Sequence, residues 1–245
     1  MICPKCQFEQ KDQNTECLKC GIIFEKYHQR YNSNLKTKIE TNDPEIGITN
    51  FIQILFFSVK PGINPILFIG RIIIFLVMVI WGWKFIFTPL EMNYTSNCFL
   101  HFVNLPFHET GHILFSPFGK VIASLGGSFG QLLMPLICLI VFLVKSKDTF
   151  GASFALWWFG ENFMDIAPYV NDARDLTLPL LGGNTGSTSP YGFHDWEFIL
   201  TELGLLHYDR ILASLAYKTG TILMLISLVW AGYLMFKQYQ NIDWK

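Results

Sequence analysis

Charge is scarce in this chain of 245 residues: Asp, Glu, Lys and Arg make up 15%, against 51% hydrophobic residues. With 16% aromatic residues as well, that excludes a disordered chain or a coiled coil. Acid and base nearly cancel to a net charge of −1, which excludes a globally basic nucleic-acid binder. A disulfide framework is missing too, because four of the six cysteines crowd the first twenty residues and Cys98 and Cys138 stand alone in apolar stretches. The first thirty residues hold no apolar run, so no secretory signal peptide is expected. The glycines and hydroxyls at 182–189 lack the spacing of a phosphate-binding loop and read as a flexible loop that gates a site. What remains is a mean hydropathy of +0.33 and several long apolar runs, the signature of a membrane protein.

Cys3, Cys6, Cys17 and Cys20 form two C-x2-C pairs, the second followed by Gly21. This spacing presents four thiolates on two turns that close around one structural zinc ion. A ribbon over 1–24 has almost no core, so metal supplies most of its folding energy, and its thiolates need a reducing compartment. The N-terminus is therefore expected in the cytosol, with mixed charge that favours a protein partner over nucleic acid.

A polar helix and linker follow over 25–50, and 51–245 forms the membrane domain. Residues 51–59 are apolar but too short to cross about 30 Å of hydrocarbon, so they are expected at the interface or against the bundle. Five transmembrane helices are expected, at about 66–87, 98–118, 126–144, 150–170 and 211–236, making an all-α polytopic protein. With the N-terminus inside, this alternation puts eleven Lys and Arg on the cytosolic side and five on the other, in line with the positive-inside rule. The expected location is the plasma or inner membrane of a prokaryote.

The second of these segments contains Phe107-His108-Glu109-Thr110-Gly111-His112, an H-E-x-x-H sequence. His108 and His112 stand one helical turn apart and can hold a second, catalytic zinc ion, while Glu109 takes a proton from water beside it. Bound metal lowers the pKa of water from 15.7 to about 7 and polarises a substrate carbonyl. Histidines and a glutamate in lipid are costly unless partnered or ligated. A third ligand is needed. Asp172 is the first candidate and His194 the second, with Asp165 and Glu161 also in view; a carboxylate there either ligates the metal or orients a liganding histidine. Asp195 is positioned to orient His194.

These residues resemble the site-2 protease family of intramembrane metalloproteases: F-H-E-x-G-H on one helix, a Gly-containing connection, a second span, and a third ending near an aspartate. The resemblance covers about 98–172. It implies a three-helix core that cuts membrane-embedded protein substrates, with His108, His112 and Asp172 holding zinc, Glu109 as acid/base, and Asn162 helping to position substrate. Here Asn171-Asp172-Ala173 stands where the family usually has Leu-Asp-Gly. The expected function is thus a zinc-dependent endopeptidase acting on membrane-associated proteins, entered by water and substrate from the cytosol. The alternative is a non-catalytic metal-binding or protein-interaction module that keeps the helix. Glu109 separates the two, since a hydrolase needs it for proton transfer and a binder does not.

Overall fold

The computed structural model describes residues 1–11, 14–27 and 47–242. Most of the polar helix and linker expected at 25–50 lies outside them. The chain divides into two compact units, Met1–Ile52 and Gln53–Lys245.

In the first unit the two C-x2-C pairs fold alike. The backbone N–H of Cys3 donates to Phe8 O and that of Cys17 to Ile22 O, both at 2.9 Å. Each turn closes on a residue in the left-handed region, Gln7 (φ 58°) and Gly21 (φ 69°). Two isolated antiparallel bridges, Ile2 with Glu9 and Glu16 with Ile23, complete the ribbon.

The second unit is helical, and among the described residues it holds no strand beyond isolated bridges. Helix α1 (Ile48–Phe57) leads into it, and Phe56 and Phe57 pack on Trp230 and Tyr233. Helix α2 (Pro65–Phe87) starts where Asn64 Oδ1 accepts from Ile66 N at 2.8 Å, with Pro65 in the first turn, and stops before Pro89. Then come α3 (Phe99–Phe115), α4 (Lys120–Ile140, extended by a wider π-helical turn to Ser146), α5 (Thr149–Asn171), the short α6 (Asp195–Glu202) and α7 (Asp209–Tyr239). Among the described residues, three helices are long and apolar enough to cross a membrane: α2, α4 with its extension, and the segment of α7. Residues 51–59 make no crossing helix, as expected from their length.

Helix α5 forms the centre. Its buried face includes Ala152, Ser153, Trp157, Gly160, Glu161 and Asp165, and it packs against α7 through small residues. A Cβ on Gly220 collides with Met164, and Ser227 Oγ donates to Ser153 O at 2.6 Å. Met78, Phe85, Trp157, Met164 and Met224 fill the core alongside.

The contacts sort the helix ends into two groups. At one end Ile63 N donates to Asn241 O at 3.1 Å, Thr149 Oγ1 donates to Ser58 O at 2.9 Å, and Arg71 pairs with Asp148 at 3.1 Å. The start of α2, the α4–α5 turn and the end of α7 therefore lie together. At the other end Tyr217 OH donates to the Phe85 and Thr88 carbonyls, and Leu90 packs on Ile166 and Val170. The end of α2, the end of α5 and the start of α7 meet there. Five alternating spans require Ile63 and Ile242 on opposite sides and the α4–α5 turn away from the start of α2; the packing gives neither. The reason lies in α3, whose 17 residues reach only about 26 Å at 1.5 Å per residue.

Helix α3 instead forms a tight hairpin with α4. A Cβ on Gly111 collides with the Gly126 carbonyl, and one on Gly130 lies 2.6 Å from Phe107 O. Gly111→Ala is expected to lower stability by about 1–3 kcal/mol through overpacking. Gly70→Ala, with no neighbour within 4 Å of its new methyl, is expected to leave the melting temperature unchanged or slightly raised. Thermal unfolding of the two variants in detergent checks the contrast.

Candidate metal centres

In the ribbon the sulfurs of Cys3 and Cys20 lie 3.7 Å apart and those of Cys6 and Cys17 3.6 Å apart. A tetrahedron with metal–sulfur bonds near 2.3 Å has edges of about 3.8 Å, so the four thiols fit one ion. Burial opposes ionisation of Cys17, but the backbone N–H groups of Cys20 and Lys19 and the neighbouring thiols bring it down to about 6.

The second cluster is built on α3. His108 and His112 share one face, with ring centroids 4.9 Å apart. Their Nε2 atoms lie 3.3 and 3.2 Å from Asp195 Oδ2, so all three donors converge on one point. With bonds of 2.0–2.1 Å a tetrahedral site has edges of about 3.3 Å, which these separations match. The far side of each ring is held. His108 Nδ1 donates to Gln131 Oε1 at 3.2 Å and His112 Nδ1 to Ala123 O at 2.8 Å. That tautomer leaves both Nε2 lone pairs aimed at a carboxylate, an arrangement that a cation between them stabilises. Gly127 makes the room: a Cβ there falls 2.5 Å from His108 Nε2 and 2.6 Å from His112 Nε2.

Asp195 is placed from both ends. It opens α6, its backbone N donates to Tyr169 OH at 2.9 Å, and Tyr169 stands 3.4 Å from Oδ2. Asp172 and His194, the first and second choices for third ligand, are not among the converging donors. The Asp172 oxygens accept from Thr177 N at 2.9 Å, Thr177 Oγ1 at 2.8 Å and Leu178 N at 3.0 Å. Burial opposes its charge, yet His194 and these donors hold the carboxyl below its usual range. His194 is turned inward: Nδ1 accepts from Glu197 N at 3.1 Å, capping α6, and Nε2 faces Asp172 at 3.5 Å. These two residues brace the loop that delivers Asp195, whereas the sequence reading gave Asp195 only an orienting part.

Behind His108 runs a buried polar chain that the sequence reading resolved only in pieces. Gln131 Nε2 donates to Asp165 Oδ2 at 2.7 Å, and His101 Nδ1 donates to Asp165 Oδ1 at 3.0 Å. Asn104 Nδ2 donates to Glu161 Oε2 at 3.0 Å and to Asp165 Oδ2 at 3.2 Å. The visible signal is the number of polar residues in three otherwise apolar segments. Glu161 stays within this chain, and Asn162 donates to the Trp158 carbonyl at 2.9 Å. Asn162 does not line the cavity described next, although the resemblance put it near substrate.

A cavity of about 670 Å³ opens over the cluster. Glu109 lines it beside both histidines, with His101, Tyr169 and the loop residues Leu178–Gly182 along its walls.

Two metal ions per chain are expected. Asp195→Ala and Gly127→Ala are each expected to lose one of them, Gly127→Ala by filling the space at both Nε2 atoms. Asp172→Asn is expected to keep both, at an affinity lower by about 10-fold, the scale of a residue that supports a ligand. Metal analysis of the purified variants measures this. The chain matches no protein-family model, no curated protein and no solved structure.

Proposed function

We propose that the protein is an integral-membrane zinc-dependent endopeptidase, similar in its chemistry to the site-2 proteases, that hydrolyses peptide bonds of membrane-associated proteins. The observation that carries this reading is the convergence of His108, His112 and Asp195 next to Glu109 in a cavity large enough for a peptide segment. In this reading the three residues hold a catalytic zinc ion, and the four ribbon cysteines hold a structural one. Bound zinc supplies Lewis acidity toward a scissile carbonyl and toward water.

The chain's own groups do the rest. Glu109 accepts the proton released as water attacks and delivers it to the leaving nitrogen. Gln131, fixed by Asp165, keeps His108 in the tautomer that presents Nε2. Tyr169 and the Asp172–His194 brace hold Asp195 in register with the histidines. The apolar stretch Leu178–Leu181 supplies a wall for substrate side chains. The ribbon serves as a contact for a protein partner.

Glu109→Gln is expected to retain both metal ions and to lose activity by about 10²–10⁴-fold, the usual contribution of a positioned acid/base. Hydrolysis of a quenched fluorescent peptide, followed together with metal content, measures both. Unchanged behaviour of the variant in every assay would identify a metal-binding module in place of a hydrolase.

A further inference from the structure

The grouping of helix ends fixes which loops share a side of the membrane. The start of α2, the α4–α5 turn and the end of α7 lie together, joined by the Ile63–Asn241 and Thr149–Ser58 hydrogen bonds. The cavity belongs to the opposite end. Asn93, Ser96 and Asn97, just past the end of α2, line it together with Leu178–Gly182 and Gly192 from the segment between α5 and α6. Chain continuity then allows four crossings, by α2, α4, α5 and α7. Helix α3 enters and leaves from the cavity side: Thr95, before it, donates to Met164 O near the end of α5, and Ser116, after it, leads directly into the start of α4.

The ribbon orients this bundle. Basic charge near the ends of the crossings is balanced: among the described residues Lys60, Lys145, Lys147 and Lys237 fall on the side of the start of α2. Four fall on the cavity side, Lys84, Lys120, Arg174 and Arg210. The four ribbon thiols, which precede the first crossing, need a reducing compartment to remain available as ligands.

We propose that the cavity opens on the non-cytosolic face of the membrane and receives polypeptide from that side: extended segments of exported proteins or the outer juxtamembrane segments of membrane proteins. The nature of the substrate rests on the hydrolase reading; the side of entry does not. This reverses the cytosolic access expected from five alternating spans, which place 171–210 inside and the 145–149 turn outside.

Single-cysteine additions at two exposed positions decide the matter. Asn184→Cys lies in the cavity-side loop and Ser146→Cys in the α4–α5 turn. A membrane-impermeant maleimide is applied to spheroplasts before and after permeabilisation, and adducts at each position are read by peptide mass spectrometry. Asn184→Cys is expected to label in intact spheroplasts to the level reached after permeabilisation, and Ser146→Cys only after it. The reverse pattern, or equal labelling of both in intact spheroplasts, overturns the proposal. Labelling requires no turnover, so a chain that labels as expected but cleaves no peptide loses the hydrolase reading and keeps the topology.

Discussion

The close approach of α3 and α4 governs everything around the membrane site. Backbone meets backbone at Gly111, Gly126 and Gly130, where no side chain fits between the helices. Small residues permit such proximity, and in lipid it replaces the hydrophobic force that packs helices in water. The same contact brings Gly127 under the two imidazoles and leaves a space bounded by nitrogen lone pairs. A larger residue anywhere along this strip would separate the helices and scatter the donors.

The polar residues where α3, α4 and α5 meet bond mainly to one another, while Glu161 Oε1 has no partner. Gln131, Asp165, Asn104, His101 and Glu161 form a continuous chain that ends on His108. An unpaired group in such surroundings costs several kcal/mol. The network also selects a tautomer. It therefore serves both the folding of three helices into one bundle and the presentation of a metal donor.

The sequence displays some of this directly. Cysteine pairs two residues apart need only a local turn to converge, and His108 and His112 need only a helix. The ribbon and the first two donors were legible for that reason. The third donor was not, because Asp172, His194 and Asp195 are equally plausible by type, and only the fold shows that Thr177 and Leu178 occupy the Asp172 carboxylate. The segment at 98–118 was read as a crossing on its apolar content, while its His101, Asn104, His108 and Glu109 already marked a face that packs against protein and lines a cavity.

The three donors do not become available at the same moment in the life of the chain. His108 and His112 emerge together on α3, but Asp195 follows only after α4 and α5 have been made and the segment braced by Asp172 and His194 has closed. A nascent chain with α3 alone offers two of the three donors. The three-donor cluster is thereby completed only once α6 has joined the bundle, and a half-inserted chain carries two donors of the three.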